Sequence, residues 1–487
     1  MKSKLYLTLA ALILVSCYSE GDSEDGFFAG SVDYIEVPTG DNYSEFADNP
    51  FIKVSENPTS TFSVDADGAS YSNLRRFIFD DNIAPPPAAI RIEEMMNYFD
   101  LDYQYIENEH PISIEGEITS CPWNDNNKLI RIGIEGEPLG ETPSSNYVFL
   151  IDVSGSMSSE DKLELLKSGF ISVLDEMKQD DRIAIVTYAG SAGVVLNSTP
   201  VSEKEAIISA ISRLGSGGST AGAEGIITAY EIAEENFIED GNNRIIIGTD
   251  GDFNVGPSST DELVSLIEEK RESGIYLTVI GVGRGNLNDN GLEQIANNGN
   301  GTYEYVDGIP QLKKVFIYDF NKFFTVAKDV KVQVTFNPVN VASYRLIGYE
   351  NRVLNNEDFE DDDEDAGEIG ADQNITALYE IVPASSPNLH SFPTFQFDFR
   401  YKRPFETASN LIEVPIYDQS IRFDESSDQM KFVGAIASFG MLLRDSPYKG
   451  DASLEDALEW LESSKLRDDH DFKAELHNIM TRYCALQ

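Results

Sequence analysis

The chain is 487 residues long, 41% hydrophobic and 10% aromatic, enough for a sizeable core and for roughly two to four domains. Its formal net charge is −48. That balance argues against nucleic acid as a partner, because phosphate binding needs a basic face, and it offers no electrostatic attraction to anionic lipid.

In chain order, a short positive start (Lys2, Lys4) precedes an apolar core at 5–15. This is signal-peptide length and too short for a membrane span, and no other apolar stretch is long enough to cross a bilayer. Leu14-Val15-Ser16-Cys17 then resembles a bacterial lipobox. The resemblance implies a signal peptide over 1–17 and acyl (palmitoyl-type) chains on Cys17. The protein is then an outer-membrane lipoprotein of a bacterial envelope, facing the periplasm or the surface, with the membrane as a partner through that anchor. Residues 18–48 read as a flexible acidic tether. Their first part, 18–26, also resembles the acidic export signals of some surface lipoproteins.

Residues 49–110 read as a small helical segment. It has a short strand at 61–65, helices at 69–79 and 90–99, and a break at Pro85-Pro86-Pro87. Residues 111–136 carry two alternating runs, 112–118 and 129–134, the pattern of half-buried antiparallel strands.

From 146 to 325, strands and helices alternate, which predicts a doubly wound, mainly parallel sheet. Strands are expected near 148–151, 182–188, 194–197, 244–248, 276–282 and 302–306. Ser202 and Glu205 have capping-box spacing at the head of one helix. The run 148–151 is wholly apolar, as a strand covered on both faces must be. It ends in Asp152-Val153-Ser154-Gly155-Ser156. Ligands of open α/β sheets bind at strand carboxyl ends. Asp152, Ser154 and Ser156 therefore offer three hard oxygens of the kind a small divalent cation such as Mg²⁺ or Mn²⁺ accepts. Two more loops follow strand or glycine-rich segments: Gly215 to Thr220, and Thr249-Asp250-Gly251.

The D-x-S-x-S run resembles the first segment of the metal-ion-dependent adhesion site (MIDAS) of von Willebrand factor type A (VWA) domains, a Rossmann-like fold. By that resemblance Thr220 and Asp250 supply the second and third segments. Asp152, Ser154, Ser156, Thr220 and Asp250 then form the metal site, and one coordination position is left for a carboxylate from a protein ligand. Rival motifs fail. Gly215 to Ser219 lacks the Gly-Lys-Ser/Thr of a phosphate loop. The run starting at Asp250 lacks the glycine and the glutamate of a calcium loop, although Asp252 could reach an outer shell. No histidine lies between 111 and 389 to serve a Ser-His-Asp arrangement, and there is no Gly-x-Ser-x-Gly elbow.

Beyond 328, strand runs continue through 329–420, interrupted by an acidic tract at 357–368 that reads either as a solvated loop or as a loose Ca²⁺ site. These strands are expected to pair with 111–136, making a β-sandwich-like segment into which the central domain is inserted. Residues 428–487 read as C-terminal helices with amphipathic stripes, Ser453 capping one of them. Cys121 and Cys484 stand either as a disulfide or as two separate buried thiols. Taken whole, the chain resembles bacterial envelope proteins with a central VWA domain between family-specific flanks. The expected function is capture of an acidic residue of a partner protein through a divalent cation, in adhesion or complex assembly. The alternatives are a metal-independent scaffold of the envelope and, less favoured, a hydrolase.

Overall fold

The computed structural model describes residues 40–486 apart from 65–66, 219–221, 252–259, 272, 363–365 and 390. Cys17, the signal segment and tether residues 18–39 lie outside the described residues, as do Thr220 and Asp252.

A six-stranded sheet forms the centre. Its order is Tyr303–Val306, Tyr276–Val282, Asn242–Thr249, Ser145–Asp152, Arg182–Ala189, Ser191–Pro200. The first five strands are parallel to their neighbours and the last is antiparallel. The apolar run of the central strand divides by pleat. Tyr147, Phe149 and Ile151 pack with Leu166 and Phe170 on one face, and Val148 and Leu150 pack with Ile226 and Tyr230 on the other. Both faces are buried, so the doubly wound α/β expectation holds. The edge strand expected at 194–197 runs the full ten residues Ser191–Pro200. The capping box at Ser202 does not form, because a 3₁₀ turn over Val201–Glu203 moves the cap to Glu203 with no side-chain bond.

The flanking strands form two antiparallel sheets. In one, Lys128–Gly136 pairs with both Ile112–Ser120 and Asn374–Pro383. The other is built on Thr325–Phe336, which pairs with Phe395–Lys402, Thr59–Ser63 and Gly367–Gly370. Phe336 stacks on Tyr344 of the first sheet at 4.3 Å between ring centres, so the two sheets pack face to face. Strands before and after the central domain thus share one sandwich, but of those in 329–420 only Asn374–Pro383 pairs with 111–136; Thr325–Phe336, Phe395–Lys402 and Asn410–Ile416 lie in the facing sheet.

The helical ends are not separate pieces. Tyr71, Leu74, Met95 and Phe99 share one core with Phe432, Ile436, Phe439 and Ile479. Helix Asp428–Leu443 is buried nearly all round rather than striped, with Ser427 as its cap. Ser453 caps helix Leu454–Ser463 as expected, accepting the Asp456 N–H at 3.1 Å.

Three expectations are corrected. Residues 40–48 of the tether are docked: Asp48 pairs with Arg444, Phe46 lies under the Arg444 guanidinium, and Asp41 pairs with Arg76. The acidic tract is tied into the fold. Asn355 caps a short 3₁₀ helix Asn356–Glu360, Phe359 is buried, and the carbonyls of Asp361 and Asp362 accept from Lys331 and Lys402. Its described acidic side chains do not converge on a point where Ca²⁺ would sit. Of the two readings of the cysteines, separate thiols rather than a disulfide holds, but only Cys121 is buried, after strand Ile112–Ser120, whereas Cys484 is exposed on the last helix.

Candidate metal centre

Three strand ends meet at the carboxyl edge of the central sheet. Ser145–Asp152 lies between its parallel neighbours Arg182–Ala189 and Asn242–Thr249, so the loops after it and after Thr249 emerge side by side. Asp152 is fully buried. Its Oδ1 accepts the Ser154 backbone N–H at 2.8 Å, which turns the chain sharply after the strand. Its Oδ2 accepts the Thr249 hydroxyl at 3.1 Å. The Ser154 and Ser156 hydroxyl oxygens are 2.9 Å apart, and the Ser156 hydroxyl also bonds the Asp250 carboxyl.

Asp250, also fully buried, accepts Lys162 Nζ at 3.0 Å and Asn286 Nδ2 at 3.1 Å on the same Oδ2. Lys162 Nζ donates further to the Ser156 carbonyl at 3.1 Å and to Asn286 Oδ1 at 2.8 Å. This lysine reaches the site from an irregular π-helical turn, Glu160–Glu164, that opens the first helix of the domain. Gly283, at φ +78°, passes directly over its stem, where any Cβ would run into the Lys162 methylenes.

The two carboxylates are shifted in opposite directions. Burial pushes the Asp152 carboxyl up to about 6; the Ser154 bonds oppose this and the nearby Asp250 charge adds to it. Burial also pushes Asp250 up, but the bonds from Asn286 and Lys162 and the Lys162 charge outweigh it, holding this carboxyl below its ordinary value.

Of the five sequence-predicted residues, the structure brings Asp152, Ser154, Ser156 and Asp250 together. Thr220 itself lies outside the described residues, but the loop before it is held against the first segment. Gly217 N donates to the Val153 carbonyl at 2.7 Å and Gly155 N donates to the Gly218 carbonyl at 3.1 Å. Sequence reasoning missed Lys162, Asn286 and Thr249. Lys162 reads from sequence as an ordinary helix-opening residue, and Asn286 lies far away in the chain. Thr249, next to Asp250, was the one with a local signal.

The chemistry of the donor set is that of a hard-cation site. Hydroxyl and carboxylate oxygens converge, with no thiol or imidazole among them. The Ser154 hydroxyl faces Ser156, and the Ser156 hydroxyl faces the Asp250 carboxyl. The three described histidines sit elsewhere: His110 on Tyr401, His470 on Tyr318 and His477 on Glu462.

Comparison with known proteins agrees with this architecture. The von Willebrand factor type A domain model matches residues 146–316, a model described as von Willebrand factor matches 37–131, and a model described as Uncharacterized protein YfbK, C-terminal, matches 321–398 and 390–486. The chain is 30% identical to inter-alpha-trypsin inhibitor heavy chain H3 of Mesocricetus auratus over 40% of its own length and 23% of that protein's. A solved von Willebrand factor type A structure from Catenulispora acidiphila is 15% identical and aligns over 78% of this chain and 98% of that one, with a TM-score of 0.45. Uncharacterized protein YfbK of Escherichia coli (strain K12) is 38% identical, over 92% of this chain and 82% of that protein. The chain is a VWA-domain protein and belongs to the YfbK family.

Proposed function

We propose that the protein binds a partner protein through a divalent cation, Mg²⁺ or Mn²⁺, held by Asp152, Ser154, Ser156, Thr220 and Asp250. The carrying observation is the convergence of two serine hydroxyls and two carboxylates at the sheet's carboxyl edge. The cation leaves one coordination position for an acidic side chain of the partner. The role is non-catalytic, in adhesion or in assembly of an envelope complex, with Cys17 as the lipid attachment point at the bacterial outer membrane. A pull-down from membranes tests it. Partner capture in Mg²⁺ that is lost both in EDTA and in Asp152→Ala supports the reading, and equal capture in EDTA overturns it.

One observation favours a second reading, a metal-independent scaffold: the Lys162 ammonium already neutralises Asp250 inside the site. Under that reading Asp152→Ala leaves the envelope complex intact.

A further inference from the structure

The loop 283–288, which carries Asn286, is held from outside the VWA domain. Asp41 Oδ1 accepts two of its backbone donors, Gly285 N–H at 2.8 Å and Leu287 N–H at 3.1 Å. The residue between those donors is Asn286, whose side chain bonds both Asp250 and Lys162. Asn42 N–H donates to the Leu287 carbonyl at 2.8 Å, and the Asn42 amide donates to Asn288 Oδ1 at 3.2 Å. Gly40, at φ +79°, passes so close to Gly285 that any Cβ would strike its carbonyl.

Behind this strap stands Arg76, at the end of helix Ala69–Arg76. Its side chain is buried and pairs with Asp41 at 2.8 Å. The same guanidinium donates to the Tyr305 hydroxyl at 3.3 Å, and that hydroxyl donates to the Gly283 carbonyl at 2.9 Å. One arginine thus organises two holds on one loop, at its first residue and around Asn286. A third bond from Arg76, to the Tyr43 hydroxyl at 3.0 Å, ties the strap to the helix.

Building on the cation site argued above, we propose that Asp41, oriented by Arg76, is a positioning residue for that site. Acting through the backbone of loop 283–288, it sets Asn286 and with it the Lys162–Asp250 pair, so the N-terminal segment controls cation affinity. The physical basis is local. Asn286 can meet Asp250 only while its backbone is fixed, and two parallel N–H bonds to one carboxylate oxygen fix the residue between them. Groups that orient a metal's ligands typically change its affinity by about 10–100-fold when removed. Asp41 acts one bond further out, so the low end applies.

The test uses the full chain and Mn²⁺ alone, titrated by electron paramagnetic resonance, with folding followed by circular dichroism. Asp41→Ala should weaken Mn²⁺ binding about tenfold. Gly40→Ala should weaken it in the same direction without deleting a buried charge, and it answers the question if Asp41→Ala fails to fold. Asp41→Asn keeps one accepting oxygen for the loop but sets its amide NH₂ against Arg76, so it should restore part of the affinity. Asp48→Ala, which releases the strap's other hold on Arg444, should bind as the wild type does. Unchanged affinity in folded Gly40→Ala and Asp41→Ala overturns the proposal, as does Asp41→Asn binding no better than Asp41→Ala. A wild-type chain that binds no Mn²⁺ overturns the cation-site reading itself, a distinct result.

Discussion

Lys162 Nζ lies 3.0 Å from Asp250 Oδ2, and both side chains are almost wholly removed from water. The protein thus carries its own cation beside the oxygens proposed to bind a metal. A buried carboxylate without a counter-charge is costly, so the lysine keeps the metal-free site folded. A divalent cation held by the proposed site would share Asp250 with that ammonium.

Replacing Lys162 with Met should therefore show a metal-dependent cost. Removing one partner of a buried pair destabilises by about 3–5 kcal/mol, and the bond from Asn286 keeps this case near the lower figure. Denaturant unfolding in EDTA should show that loss, and saturating Mg²⁺ should recover a large part of it, because the divalent ion replaces the missing charge. The same loss with and without Mg²⁺ would separate the lysine from the cation site.

Gly283→Ala should act on the same lysine from the other side. At φ +78° an alanine is strained by about 1–2 kcal/mol, and its methyl displaces the Lys162 stem. The expected outcome is a lower melting temperature together with weaker Mn²⁺ binding. A variant that loses stability but binds Mn²⁺ as the wild type does would limit the glycine to a backbone role.

Far from the site, Glu135 on strand Lys128–Gly136 should govern part of the pH dependence. Burial pushes its carboxyl up to about 8, helped by the charges of Asp100 and Asp372. A raised carboxyl holds its proton more tightly when folded. Its contribution to stability is present below the unfolded value near 4.5 and is lost as pH rises through about 8. Glu135→Gln should match the wild type at pH 4 and exceed it at pH 9, by up to about 5 kcal/mol at 1.36 kcal/mol per pKa unit. Chemical denaturation at the two pH values checks this. Equal stability gaps at both would remove Glu135 as the cause.

The two described cysteines should react very differently. Burial pushes the Cys121 thiol far up and out of solvent, whereas Cys484 is exposed. Thiol labelling with peptide mapping should mark Cys484 in the native protein within minutes, and Cys121 only after unfolding. Labelling of both at one rate would contradict the packing around Trp123 and Cys121.

Much of this was legible in the sequence because the signals were local. An apolar run ending in Asp152-x-Ser154-x-Ser156 specifies a strand buried on both faces and a loop at its carboxyl end, since backbone pairing and pleat follow from a few adjacent residues. Alternating runs identified the flanking strands, and their placement on both sides of the VWA domain implied one sandwich. Asp250 was readable as a carboxylate in the loop after another buried strand, and its place in the site came from the family resemblance.

What only the tertiary structure decided were relations between residues distant in the chain. Nothing near Lys162 marks it as the partner of Asp250, and nothing near Asp41 marks it as the clamp on Asn286; their sequence separations are large and their side-chain types ordinary. Buried charges are placed by the need of each for a counter-charge once water is gone, and that need arises only when the chain has packed. The N- and C-terminal helices likewise share one core because neither buries its apolar face alone. The sequence by itself determined the strand, the loop and the oxygens of the candidate site, and packing decided which lysine, asparagine and N-terminal aspartate stand around them.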